Sequence, residues 1–96
     1  MSEIFNNPGP VLDQISDALA EVGEELFSAV KKHGFEQTPM NPVKPLNDSF
    51  VILAEEFGEV ARALTHDEGD IDNLVDELIQ TAAMAVAMIV GVRLRG

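Results

Sequence analysis

Apolar residues along this chain recur at alternating steps of three and four, the period of a helix that buries one face. Leu12, Ile15, Leu19, Val22, Leu26 and Val30 form one series, Phe50, Leu53, Phe57, Val60, Ala61 and Leu64 a second, and Leu74, Val75 and Leu78 open a third. The pattern predicts an all-α fold with three main helices. Pro10 fits a first helical turn, Lys31, Lys32 and His33 complement the dipole at the far end, and Gly34 supplies a stop. The segment from Phe35 to Pro45 holds three prolines and no period, so it reads as a connecting loop long enough to shape a site. Asn47, Asp48 and Ser49 are N-cap candidates for the second helix. His66-Asp67-Glu68-Gly69-Asp70 closes that helix and caps the third, which runs from about Ile71 towards Arg93. Residues 1 to 9, with Asn6, Asn7, Pro8 and Gly9, read as a loose arm ahead of a single helical domain over residues 10 to 96.

From Thr81 to Val92 the third helix is apolar on every side, more than a three-helix monomer can bury. A subunit interface is the expected cover. The uninterrupted run is about twelve residues, whereas a bilayer span takes about twenty, so no membrane is expected. A chain of 96 residues gains only marginal stability from its own burial, which also favours a partner subunit. Six basic against seventeen acidic side chains give a formal charge of −11, which opposes binding to long nucleic acids or to anionic membrane. The absence of cysteine excludes a disulfide framework, a thiolate zinc site and a thiol nucleophile. The first residues carry neither the charge nor the apolar run of a signal peptide, and the expected location is cytoplasmic.

Two helices carry acidic or amide side chains three residues apart at the edge of their apolar stripe: Glu56 and Glu59 in the second, Glu77 and Gln80 in the third. Glu56 stands beside Leu53 and Phe57 as Glu77 stands beside Leu74 and Leu78, so the two edges match. Packed antiparallel, they would bring four oxygen donors together, as Mg²⁺ requires when phosphate and water complete its octahedron. Without a cation or a hydrogen-bond network, such carboxylates repel. Glu55, Asp72 and Asp76, taken singly, read as solvated side chains.

Leu53-Ala54-Glu55-Glu56-Phe57-Gly58-Glu59-Val60-Ala61-Arg62-Ala63-Leu64 resembles the Glu-Glu-x-Gly-Glu block of the MazG-like, all-α nucleoside triphosphate pyrophosphohydrolases. Asp76-Glu77-Leu78-Ile79-Gln80 falls where that family has its second acidic block, and Lys32-His33-Gly34-Phe35-Glu36-Gln37 is similar to a loop segment of its short phage and bacterial members. The resemblance covers roughly residues 30 to 90. It implies hydrolysis of a nucleoside triphosphate to the monophosphate and pyrophosphate, with Mg²⁺ or Mn²⁺ held by both blocks, in a homodimer or homotetramer. Carried over by position, Glu56, Glu59 and Glu77 are metal ligands, and Glu55 either supports a ligand from behind or orients the attacking water as a base. Gln80 stands where the family has an aspartate; its amide oxygen can ligate but carries no charge, so metal affinity should fall, with Asp76 as the available substitute.

Phosphoryl transfer needs charge neutralisation on phosphate oxygens, and Lys31, Lys32, Lys44 and Arg62 are the cations near the expected site. Lys32 and Arg62 are the candidates for phosphate, Phe35 and Gln37 for the base. His33 and His66 read as helix-end residues, and Met84 and Met88 as packing. The competing reading is a non-catalytic helical oligomer that binds nucleotide or a protein partner on the same scaffold. A di-iron bundle expects Glu-x-x-His, which neither histidine satisfies, and no P-loop or nucleophile elbow is present.

Overall fold

The computed structural model describes residues 6–66 and 69–96. Three helices account for most of them: α1 over Gly9–His33, α2 over Leu46–Thr65 and α3 over Ile71–Arg95, with a single 3-10 turn at Phe35–Gln37 between α1 and α2. The described residues hold no strand. α3 is the centre of the arrangement, because α1 and α2 both pack on it and hardly touch each other.

Local chemistry sets the ends of these helices. Pro10 sits in the first turn of α1, and Gly34, at φ 83°, ends it by donating its N–H to Val30 O at 2.8 Å. α2 starts at Leu46, ahead of the expected caps: the N–H groups of Asp48 and Ser49 donate to Pro45 O at 3.0 and 3.2 Å, and no side chain caps this end. Asn47, Asp48 and Ser49 therefore lie inside the helix, and Ser49 is the largest fully buried side chain. Pro45 prevails because its fixed φ and free carbonyl already suit a helix entrance. His66 closes α2 by donating to Arg62 O at 2.7 Å, and Asp70 caps α3 by accepting from the Asn73 N–H at 3.0 Å. The remainder of that expected closing segment, Asp67 and Glu68, lies outside the described residues, as do the first five residues of the expected arm.

The loop from Thr38 to Pro45 is pinned to α3. Thr38 and Pro39 are buried, the Pro39 carbonyl rests on Gly91, and Arg95 Nη2 donates to Lys44 O at 2.8 Å. This closeness requires small residues, and Ala83, Ala87 and Gly91, one turn apart, are the buried positions of α3. The apolar core is otherwise slight: Val60, Ala63, Ala83 and Ala87 are its buried members.

The expected stripe of α2 faces elsewhere. Val60 is buried, but Phe50, Phe57 and Leu64 are 60, 66 and 57% exposed. α2 meets α3 through a neighbouring face that carries Ser49, Glu56 and Ala63. On α1, residues 10 to 21 are all exposed, including Leu12, Ile15 and Leu19. The chain exposes 6959 Å², roughly 1,600 Å² more than a folded monomer of 10.4 kDa is expected to show. Its radius of gyration of 15.4 Å likewise exceeds the value of about 13 Å for a compact domain of this length. By length and composition alone, α3 is also long and apolar enough to cross a membrane, because a window of eighteen residues tolerates charges that interrupt the run from Thr81 to Val92.

Candidate functional site

An open cleft of about 600 Å³ lies where the C-terminal half of α1, the loop after it, and the facing flanks of α2 and α3 meet. α1 contributes Glu25, Ser28, Lys32 and His33, the loop Gln37 and Thr38, α2 Glu55 and Glu56, and α3 Gln80 and Met84. The loop wall is held by the Thr38 hydroxyl, which donates to Phe35 O at 2.8 Å, and by Asn41 Nδ2, which donates to Glu36 O at 3.1 Å.

Glu56 is the electrostatic focus. Its carboxyl group is pushed above the usual range first by burial and then by the negative charges of Glu77, Glu59, Glu25 and Glu55. Glu56 Oε2 and Glu77 Oε2 are both buried and have no hydrogen-bond partner. A buried carboxylate oxygen without a donor is costly, and two facing the same interior are more so. A proton or a cation relieves both. As the side chains stand, no three His, Cys, Asp or Glu among the described residues are gathered closely enough to hold a metal ion. The orphaned oxygens of Glu56 and Glu77 are thus a fit for a cation that the surrounding groups would have to complete.

Of the residues expected at a site, Lys32, Gln37, Glu55, Glu56 and Gln80 line the cleft together. Glu59 and Glu77 are not in its wall but act electrostatically on Glu56 from the side. Arg62 is elsewhere, in a shallow depression with Ala61, Thr65 and His66. Phe35 and Asp76 are exposed and do not line the cleft. Met84, expected only to pack, forms part of the wall, and His33 lines it in addition to ending α1.

Glu25 and Ser28 join the site without being among the residues that the sequence singles out. Glu25 has a signal there nonetheless: it follows Val22 by three residues and precedes Leu26, as Glu56 follows Leu53 and precedes Phe57, and as Glu77 follows Leu74 and precedes Leu78. All three glutamates occupy the same edge of an apolar stripe, one per helix. No protein-family model, characterised protein or solved structure matches the chain.

Proposed function

We propose that the cleft binds a nucleoside triphosphate with a divalent metal ion and hydrolyses it to the monophosphate and pyrophosphate. The observation that carries this reading is the pair of buried, unpartnered carboxylate oxygens of Glu56 and Glu77 beside a cleft with Lys32 on its wall. The resemblance of the two acidic blocks to the MazG-like enzymes points the same way. Glu56 and Glu77 would hold the ion, with Glu59 and the Gln80 amide oxygen turning in to complete its ligands and Glu25 adding charge from α1. Mg²⁺ or Mn²⁺ would there neutralise phosphate oxygens and polarise the scissile anhydride. Lys32 stands on the wall at the end of α1, where its ammonium group meets phosphate oxygens beyond the carboxylates. Glu55 accepts a proton from the attacking water and keeps it in line with the bond between the α and β phosphates. Gln37, beside it on the loop, has both a donor and an acceptor for a base edge.

The charge of −11 leaves long nucleic acids unsuited as partners, and the presence of Glu77 and Gln80 on the inner flank of α3 favours a protein that works in aqueous cytoplasm over one with α3 in a bilayer. A second reading rests on Gln80, which lines the cleft where an acidic ligand would be stronger: a scaffold that binds nucleotide, or another protein at the same place, without hydrolysing it. Incubation with a panel of nucleoside triphosphates in Mg²⁺ or Mn²⁺, with pyrophosphate and orthophosphate measured separately, distinguishes them. Release of pyrophosphate supports the enzyme; nucleotide binding by calorimetric titration without release supports a nucleotide-binding scaffold. Neither release nor binding defeats both of these and leaves the protein-binding form of the second reading.

A further inference from the structure

On the flank of α3 opposite the cleft, Ile71, Val75, Leu78, Ala82, Ala85, Ile89 and Val92 follow one another at steps of four and three. This is the spacing of a coiled-coil seam. The seam is left largely open: Ile71, Val75, Leu78, Ile89 and Val92 are exposed and Ala82 and Ala85 half-buried, whereas the buried residues of the same helix, Ala83, Ala87 and Gly91, are small. No acidic residue interrupts the seam, in a chain that has seventeen. Interface cores are marked by this depletion of charge.

We propose that α3 docks antiparallel on α3 of a second copy, about a two-fold axis that passes between Ala82 and Ala85. The order of side chains along the seam is what selects a second copy. About the midpoint between residues 83 and 84, Ala82 is matched with Ala85, Leu78 with Ile89 and Val75 with Val92. The seam is therefore large, small and large again with the same spacing in both directions, as the self-complementary surface of a two-fold dimer must be. Alanines at the centre let the helices approach closely. The charges agree in direction, because the first turns of α3 carry Asp72 and Asp76 and the last carries Arg93 and Arg95. Antiparallel docking sets the basic end of one copy beside the acidic end of the other and opposes the two helix dipoles, whereas parallel docking would set acid against acid.

Grooves flank the two ends of the seam, the first lined by Asp17 and Glu21 as well as by apolar side chains and the second ending at Arg93. One, of about 360 Å³, lies between Ala18 and Val22 of α1 and Val75 and Leu78 of α3. The other, of about 370 Å³, lies between Leu53 of α2 and Ile89 and Val92 of α3. The two-fold axis brings the Ile89 and Val92 end of one copy over the first groove of the other, and the Val75 and Leu78 end over the second. The chain exposes roughly 1,600 Å² more than a compact monomer of its mass, and the seam is one part of that excess beside the bare faces of α1 and α2. The cleft is reached through Gln80 and Met84 on the other flank of α3 and stays open in the dimer. Dimerisation by this seam holds whether or not the cleft hydrolyses nucleotide.

The chain has no cysteine, so disulfide trapping reads the geometry directly. Val75 and Val92 are both exposed in the single chain, and seventeen residues of helix hold them about 26 Å apart, too far to join within one copy. In the double variant V75C/V92C, oxidation should close a covalent dimer, while V75C and V92C alone stay uncrosslinked. The unmodified protein should sediment at twice 10.4 kDa. A monomer at micromolar concentration overturns the proposal. So does crosslinking of V75C to itself, which requires a parallel pair, or a ladder of larger products, which requires an open assembly. Recovery of the wild-type chain only on phosphatidylcholine vesicles would assign the seam to lipid instead.

Discussion

At the scale of single residues, Glu56 is where folding and function pull apart. Its carboxyl group binds a proton more tightly in the folded chain than in the unfolded one, because burial and then Glu77, Glu59, Glu25 and Glu55 disfavour the charge. The contribution of Glu56 to the stability of the metal-free protein is accordingly fully present below the ordinary value of 4.5 and is lost as pH rises through the raised one. Glu56→Gln removes the charge and should raise the metal-free melting temperature at pH 7, flatten its decline with pH, and abolish most of the stabilisation by millimolar Mg²⁺ at matched ionic strength. Thermal melts of both proteins across pH check all three; an unchanged response to Mg²⁺ would remove Glu56 from the site. Gln80→Asp, in the same cleft, adds a charged ligand and should tighten Mg²⁺ binding about tenfold, or ~1.4 kcal/mol, by calorimetric titration. Glu56, Glu77 and Gln80 were legible in the sequence because their helices carry matching edges. Glu25 occupies the same edge of α1, but Ser28 follows it at the position where Glu59 and Gln80 follow the other two, so the paired signal is missing. The positions of Phe35 and Arg62 were not legible, since sequence spacing does not give the path of a loop or the roll of a helix about its axis.

At the scale of elements, the Pro39 carbonyl on Gly91 fixes how the loop meets α3. An added methyl group at Gly91 would overlap that backbone oxygen, which no side-chain rotation relieves. Alanine normally improves a helix interior by up to ~1 kcal/mol, but overpacking of this kind costs ~1–3 kcal/mol. Gly91→Ala should therefore lower the melting temperature and loosen the loop that carries Gln37 and Thr38. Gly58 in α2 supplies the contrast, because a methyl group there meets nothing within 4 Å. Gly58→Ala should stabilise by about 0.5–1 kcal/mol, so chemical denaturation of the two variants should give opposite signs. The three helices themselves were legible, since the three-and-four period and the Asp70 cap are local properties. What covers each stripe is a non-local property. On α2 the series Phe50, Leu53, Phe57, Val60 and Leu64 suggests the face turned to the core, yet most of it is turned outward. A pattern marks a face that must be buried; it does not say whether the same chain buries it.

At the scale of the whole molecule, the same distinction governs stability. The run from Thr81 to Val92 requires a cover on every side of α3, and the described chain supplies it on one flank. There α1, α2 and the Pro39 loop meet the helix and Ala83, Ala87 and Gly91 are buried, while Val75, Leu78, Ile89 and Val92 on the opposite flank are exposed. With four buried apolar side chains described, a separate chain has little to hold it together, so folding and association should be one equilibrium. The melting temperature should then rise with protein concentration, which a stable monomer does not show. Charge gives this coupling a sign. Each copy carries −11, and bringing two together opposes association over distances that salt screens, with a Debye length of about 10 Å near 0.1 M against about 30 Å near 0.01 M. Raising NaCl between those limits should therefore raise the melting temperature, and more so at low protein concentration, where association limits folding. Ala85→Glu places two further charges at the centre of the seam, next to the two-fold axis and away from water. It should leave the chain monomeric or unfolded at concentrations where the wild type is dimeric, with salt recovering little, because the cost there is desolvation and not long-range repulsion. Calorimetric melts at several protein and salt concentrations, with sedimentation of the variant, carry the test: a melting temperature independent of concentration would show that one chain folds alone and that its bare seam serves another purpose.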